Sequence, residues 1–163
     1  MTRIRELAKE IIVGSIFFII LINIISFFRQ PQLTSNHIPQ ETVKLLDGSK
    51  YRLKSGKPLV IHFWATWCPT CKLESPNIEA LSKKYEVLTV AVNSGNNEKI
   101  ARYMKENSLT FNVLNDSAGQ WAKKFKVEAY PTTFMYDAKG MLQFTEVGYT
   151  STAGFLGRML LLK

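Results

Sequence analysis

The apolar positions near the start of this chain form one unbroken run rather than a periodic pattern. Residues 11–28 carry no charge, and their only polar side chains are Ser15, Asn23 and Ser26. An amphipathic surface helix would show a polar face every three or four residues. Because eighteen uncharged and mostly apolar residues are long enough to cross a bilayer as a helix, we predict a transmembrane helix here.

Beyond this run, apolar patterns of strand and helix period alternate. Leu59 to Trp64 is typical of a strand buried on both faces, and Asp47-Gly48 between extended segments is a strong hairpin signal. The predicted elements, in chain order, are strands Thr42 to Leu46, Lys50 to Leu53 and Leu59 to Trp64, a helix after the cysteines, strand Val87 to Val92, helix Asn97 to Asn107, strand Phe111 to Leu114, helix Gly119 to Phe125, strands Thr132 to Asp137 and Leu142 to Val147, and helix Ser151 to Leu162. Crossovers come first and a hairpin last, so we predict an α/β fold with a mixed central sheet, helices on both faces and an N-terminal hairpin extension.

The flanks of the apolar run predict its orientation. Arg3, Arg5 and Lys9 precede it and Arg29 follows, so the positive-inside rule places the N-terminus in the cytoplasm. A cleavable signal peptide has a shorter core and ends in small residues that this run lacks. We therefore expect a single-pass protein of the inner (cytoplasmic) membrane whose folded part faces the periplasm or cell exterior. The predicted parts are a cytoplasmic N-terminus over 1–10, an anchor over 11–28, a linker over 29–40 and a folded domain over 41–163.

The net charge and the cysteine content limit which partners and which compartment we expect for this protein. The formal net charge is +8, but the lysines are spread singly or in pairs without an aromatic-interleaved motif, so nucleic acid is not an expected partner. The chain has only two cysteines. A protein without spare thiols is suited to an oxidising compartment, which agrees with export of the folded domain.

Both cysteines lie in the motif Trp67-Cys68-Pro69-Thr70-Cys71, between a predicted buried strand and a predicted helix. A helix N-terminus stabilises a thiolate, so we expect Cys68 to be the nucleophile. Pro69 fits the first helical turn, where the missing N–H has no acceptor to lose. Cys71, one turn later, is the predicted resolving thiol. The pattern predicts thiol-disulfide exchange that needs no cofactor.

Other uses of two cysteines compete with this one. Structural zinc needs about four ligands, and the remaining candidates are only His37 and His62. Covalent haem attachment requires a histidine directly after Cys71, where the chain has a lysine. A permanently closed disulfide would constrain little of the unfolded chain at this spacing. A copper-binding or copper-protective thiol protein stays open as an alternative, with Met135 as the one methionine expected near the pair.

The motifs together resemble a known family. Phe63 to Cys71, with Pro76 and the segment Tyr130 to Phe134 further on, resembles the thioredoxin fold. The hairpin and Glu74 resemble the membrane-anchored, extracytoplasmic TlpA/ResA-like branch. Within that branch the anchor and the Trp-Cys-Pro-x-Cys motif are similar to the ScsD-type suppressor-of-copper-sensitivity proteins. The resemblance spans about residues 41–163.

The resemblance implies roles that spacing alone does not assign. Pro131 corresponds to a proline held in cis facing the disulfide, where it exposes the Tyr130 backbone to a substrate peptide. We expect the substrate-binding surface to consist of Trp67, Pro69, Thr70, Tyr130 and Pro131. Glu74 corresponds to a carboxyl that exchanges a proton with the resolving thiol.

Two positions depart from the family pattern. His62 stands where thioredoxins carry a buried aspartate, so it is either a second proton-transfer residue or a hydrogen-bonded core histidine. Thr132 stands where cytochrome c maturation reductases carry glutamate, which leaves that reaction as an alternative rather than the main prediction. The expected partners are substrate proteins with thiols or disulfides and a membrane thiol-disulfide redox partner. The direction of electron flow stays open.

Overall fold

The computed structural model describes residues 9–18, 20–21, 31, 33 and 35–162. The chain divides into two compact units, Met1–Gln30 and Pro31–Lys163. In the first unit, residues 9–18 and 20–21 are helical and exposed. Within the described part of the chain, no helix combines the length and the apolar character needed to cross a membrane. The predicted span over 11–28 includes residues 19 and 22–28, which lie outside the described residues.

The described residues of the second unit follow the predicted order of strands and helices. In chain order they are β1 (Thr42–Lys44), β2 (Lys50–Arg52), β3 (Leu59–Trp64), α1 (Pro69–Ser82), β4 (Glu86–Val92), α2 (Asn97–Glu106), β5 (Asn112–Asp116), α3 (Gln120–Lys124), β6 (Thr132–Tyr136), β7 (Leu142–Val147) and α4 (Thr152–Leu160).

The central sheet has the strand order β5-β4-β3-β6-β7, and β1 and β2 form a separate antiparallel hairpin. β3 pairs in parallel with β4 and antiparallel with β6. The mixed sheet predicted from the alternating crossovers is therefore confirmed. Its two faces carry two core clusters: Val60 and Trp64 pack in the one that contains both cysteines, whereas Ile61 and Phe63 pack in the other.

Helices cover both faces of the sheet, as predicted. The cluster with the cysteines includes buried residues of α1, α2 and α4, and the other cluster includes Ala122 of α3. β3 lies at the centre of the sheet with all six residues buried. The cysteines therefore follow directly after the most enclosed strand of the fold.

Some boundaries differ from the predicted ones for local reasons. β1 ends at Lys44 because Leu45 already belongs to the turn: its N–H donates to Ser49 O and its carbonyl accepts from Gly48 N. β5 begins after Phe111, whose N–H donates to a carboxylate oxygen of Glu79 instead of entering the strand. The helices α3 and α4 are also one or two residues shorter at each end than the apolar pattern predicted.

The predicted linker over 29–40 is corrected in its second half. His37 forms a β-bridge with Met141, Ile38 N donates to Gly140 O at 2.8 Å, and Asn36 O accepts from Leu142 N at 2.7 Å. Ile38 is buried in the core cluster that includes Ile61 and Phe63. Its apolar side chain gains from burial, so this segment is part of the folded domain.

Candidate active site

Cys68 and Cys71 form a disulfide at the start of α1. Cys68 is the N-cap residue and Pro69 the first helical residue, as the sequence predicted. Cys68 is 6% exposed, whereas Cys71 is fully buried. The outer sulfur is therefore the one that a partner molecule can reach, and the inner sulfur lies against the core.

The helix N-terminus supplies the electrostatics of the outer sulfur. The Cys71 N–H donates to Cys68 Sγ at 3.1 Å. Unpaired N–H groups and the helix dipole add a partial positive charge at the same place. A thiolate on Cys68 would be stabilised by this environment, so Cys68 is the better nucleophile and the better leaving group of the pair.

The loop between β3 and α1 is fixed by two contacts to the segment after β4. The Thr66 N–H donates to Ser94 Oγ at 3.0 Å, and the Trp67 indole donates to Asn93 O at 3.2 Å. The Trp67 side chain nevertheless remains 59% exposed. Its ring is thus held in place beside the disulfide while presenting an apolar face to solvent.

The segment before β6 faces the disulfide from the other side. The Tyr130–Pro131 peptide bond is cis, in agreement with the resemblance. The carbonyl oxygen of Tyr130 lies 3.7 Å from Cys68 Sγ. The Tyr130 ring packs edge-to-face against Trp67, with centroids 5.7 Å apart. A backbone acceptor and two aromatic rings therefore border the outer sulfur.

Glu74 lies one helical turn after Cys71 and is fully buried. Its Oε1 accepts a hydrogen bond from the Thr150 N–H. The pKa of Glu74 is raised to about 8: burial is the largest cause, the hydrogen bond from Thr150 opposes the rise, and the nearby charge of Glu146 adds to it. The carboxyl is protonated at neutral pH, which is the state required to give a proton to a departing thiolate.

His62 is buried on β3 beneath the same helix. Its Nδ1 lies 2.9 Å from Thr133 Oγ1 and 3.7 Å from Oε2 of Glu74. Burial lowers the pKa of His62 to about 3, so the imidazole is neutral at physiological pH. The His62–Glu74 contact is accordingly between two uncharged groups, and its 3.7 Å separation exceeds a hydrogen bond.

The structure brings the predicted residues together in two layers. The cysteines, Trp67 and the Tyr130–Pro131 turn form the outer layer, and Glu74 and His62 lie beneath it. Their catalytic and substrate-binding roles stay predictions. His37, considered above only as a zinc ligand, lies apart in the bridge to Met141. Among the described residues, no group of three or more histidine, cysteine, aspartate or glutamate side chains could hold a metal ion.

Sequence reasoning missed the polar residues that support this site. Ser94 holds the Thr66 backbone, Thr133 contacts His62, and Thr150 donates to Glu74. Thr133 carries a signal that could have been used: it is a polar residue inside a buried strand, as His62 is. Thr150 acts through its backbone, so no residue type at that position would have revealed it.

Comparisons with known proteins agree with this architecture. The AhpC/TSA family model matches residues 34–145, a range that includes the disulfide, α1 and the Tyr130–Pro131 turn. The chain is 32% identical over 161 residues to a thioredoxin-like protein of Haemophilus influenzae, covering 96% of this chain and 95% of that protein. It is 33% identical over 113 residues to the thiol-disulfide oxidoreductase ResA of Oceanobacillus iheyensis, covering 67% of this chain and 56% of that protein.

One solved structure shows the likeness in three dimensions. A secreted disulfide oxidoreductase of Mycobacterium tuberculosis, described as homologous to E. coli DsbE, superposes with a TM-score of 0.66 at 26% identity. The match covers 76% of this chain and 96% of that structure. The thioredoxin-like fold expected from the motifs is thereby confirmed.

Proposed function

Because the chain belongs to the AhpC/TSA family and is a thioredoxin-like thiol-disulfide oxidoreductase, we propose that it exchanges disulfides with extracytoplasmic proteins through Cys68 and Cys71. The observation that carries the proposal is the position of the disulfide. It lies at the N-terminus of α1, with its outer sulfur reachable and 3.7 Å from the Tyr130 carbonyl.

The oxidised protein reacts first at the outer sulfur. A client thiolate attacks Cys68 Sγ and forms a mixed disulfide, while the Cys68–Cys71 bond breaks and Cys71 leaves with the bonding electron pair. Glu74 gives its proton to the departing thiolate and becomes a carboxylate. A second client thiolate then attacks the client sulfur and releases the Cys68 thiolate, so two electrons pass from client to protein.

The reverse sequence reduces a client disulfide. The Cys68 thiolate attacks one sulfur of the client disulfide, and the other client sulfur leaves as a thiolate. The Glu74 carboxylate takes the proton of Cys71, and the Cys71 thiolate then attacks Cys68 Sγ, which closes the Cys68–Cys71 bond and releases the second client thiolate. The same groups serve both directions, because each step is the reverse of its counterpart. Which direction dominates depends on the reduction potentials of the client and of a membrane redox partner that resets the pair.

Client binding is supported by the groups around the disulfide. The Tyr130 carbonyl can accept an N–H of an extended client segment, in the manner of strand addition. The exposed ring of Trp67 offers apolar contact beside it. With Pro69, Thr70 and Pro131 these residues form the proposed substrate-binding surface. This surface would bind the backbone and apolar side chains of a client and would not require a particular client sequence.

The proposed location is outside the cytoplasmic membrane, with the chain anchored by its N-terminal apolar run. The support is the absence of charge over residues 11–28 and the basic residues before it. The matched structure from Mycobacterium tuberculosis is of a secreted protein. An isolated domain with one cysteine pair would meet both its clients and its redox partner on that side.

A copper-binding or copper-protective role, as in the ScsD-type proteins, is a second proposal that uses the same two thiolates. Two thiolates can bind Cu(I). Met135 belongs to the same core cluster as both cysteines, but it aligns with Val60, near the end of β3 opposite to the cysteines. The two proposals differ at Cys71, because a metal site loses a ligand there while an oxidoreductase loses its resolving thiol.

The test is covalent trapping with the full-length chain in its native membrane. Cys71→Ser should accumulate client proteins disulfide-bonded to Cys68, visible as adducts that disappear on reduction. Cys68→Ser and the double serine variant are the matched controls and should carry none. If Cys71→Ser traps nothing and only weakens Cu(I) binding, the exchange proposal is wrong and the copper proposal takes its place.

A further inference from the structure

Four polar side chains lie side by side across the central sheet, on the face that α1 covers. In register, Thr89 of β4 and Thr133 of β6 flank His62 of β3, and Glu146 of β7 follows Thr133. Cross-strand partners point to the same face with Cβ atoms about 5 Å apart. Val60, two residues before His62, packs with the cysteines, which identifies the face.

These four side chains form a polar row that runs from the interior of the domain to its surface. Its first three members are buried, whereas the Glu146 side chain is 21% exposed. Oε1 of Glu146 accepts from Nε of Arg158 at 2.5 Å, and Arg158 Nη1 donates to Gly154 O at 3.0 Å. The ion pair is therefore anchored to α4 and closes the outer end of the row.

Glu74 approaches the row from α1. Its Oε2 lies 3.7 Å from His62 Nδ1 and has no hydrogen-bond partner among the described residues. His62 from β3 lies nearest to it, and the charge of Glu146 from β7, which is paired with Arg158 of α4, acts on it from the next strands. Cys71 lies three residues earlier on its own helix. Burial is the main reason that the pKa of Glu74 is raised, and the charge of Glu146 adds to it.

We propose that Glu146 is a positioning residue that disfavours a negative charge on Glu74 while the Cys68–Cys71 disulfide is closed, and that Arg158, through its ion pair with Glu146, limits this effect. The inference rests on the proposed function, in which Glu74 gives its proton to the departing Cys71. Glu146 acts through Glu74. In the oxidised protein the proton is then already in place when a client attacks.

The two members of the pair act with opposite sign. The carboxylate of Glu146 disfavours a second negative charge on Glu74, whereas the guanidinium of Arg158 favours it. Removing Glu146 should therefore ease ionisation of Glu74, and removing Arg158 should hinder it. A purely structural role would change both variants in the same direction, because either substitution breaks the same ion pair.

The test is an NMR titration of the Glu74 carboxyl carbon in the oxidised full-length chain, with Glu74→Gln to assign the signal. Glu146→Gln should lower the titration midpoint by about one pH unit and Arg158→Gln should raise it by a similar amount, the size expected of one nearby charge. The pH profile of disulfide reduction by dithiothreitol, corrected for the thiolate fraction of the reagent, should shift in the same directions.

Each result decides a separate question. Midpoints that move together, or that do not move, overturn the positioning role of the ion pair even if exchange activity is intact. Midpoints that move oppositely while the corrected rate profiles coincide support the pair but overturn the proton transfer by Glu74. Opposite shifts in both measurements support the inference and the mechanism on which it rests.

Discussion

Replacing Glu74 by glutamine should stabilise the oxidised protein at neutral pH. A buried carboxyl whose pKa is raised binds a proton in the folded state that it releases in the unfolded state. Its effect on stability is therefore most favourable below its unfolded pKa and is lost as pH rises through the folded pKa. Here the window extends from the ordinary glutamate pKa of 4.5 to about 8.

The magnitude follows from that window. At pH 7 the carboxyl is ionised in the unfolded state and mostly protonated in the folded state. Since pH 7 lies about 2.5 pH units above the unfolded pKa, and each unit corresponds to about 1.4 kcal/mol, Glu74 destabilises the folded state by about 3 kcal/mol at this pH. In the Glu74→Gln variant the amide oxygen can still accept from the Thr150 N–H, and the side chain cannot ionise. The variant should be more stable by about 3 kcal/mol at pH 7 and by less than about 1 kcal/mol at pH 5.

Urea unfolding of the oxidised full-length chain at several pH values between 5 and 8 measures this difference. Glu79→Gln is the matched control on the same helix. Although burial raises the pKa of Glu79, hydrogen bonds from Lys83 and Thr110 hold it below its usual range. The control should lose a constant amount of stability from pH 5 to 8, because the contribution of Glu79 changes only below the ordinary glutamate pKa of 4.5. A Glu74→Gln effect that is constant from pH 5 to 8 would refute the reasoning.

Three further predictions test other parts of the site. Burial lowers the pKa of His62 to about 3, so the parent protein loses stability in acid that the His62→Asn variant does not lose. Relative to the parent, the free energy of unfolding of the variant should be about 3 kcal/mol more favourable at pH 4 than at pH 7, and parallel acid-unfolding curves of the two proteins would contradict this. Ile78→Ala should cost about 2–5 kcal/mol in urea unfolding because Ile78 is fully buried on the inner face of α1, and a loss below about 1 kcal/mol would show a loosely packed helix. Trp67→Ala should slow exchange with a protein client while leaving the rate with dithiothreitol unchanged; equal slowing of both would place Trp67 in control of the sulfurs themselves.

Local patterns were sufficient for the elements and for the start of α1, because the apolar run of β3 and the proline after Cys68 determine structure within a few residues. The cis bond between Tyr130 and Pro131 was expected from the family resemblance and not from a local pattern. The surroundings of Glu74 depend instead on strand order and register. Glu146 comes close only because β6 and β7 pair in sequence beside β3, and no local pattern specifies that alignment.

The predicted linker was wrong in its second half for a related reason. Proline and polar residues favour an irregular segment, and residues 36–38 are indeed outside the named strands. These residues are held in the folded domain by burial of Ile38 in the core and by backbone hydrogen bonds to residues at the start of β7. Both contacts come from distant parts of the chain.

The bridge between His37 and Met141 determines from which end the upstream chain enters the domain. Leu142 aligns with Tyr136, which in turn aligns with Leu59 at the beginning of β3, whereas the cysteines follow the far end of that strand. Five strand steps of about 3.3 Å separate the two ends by about 17 Å. The segment at His37 therefore joins the sheet at the end of β3 opposite to the one that the cysteines follow.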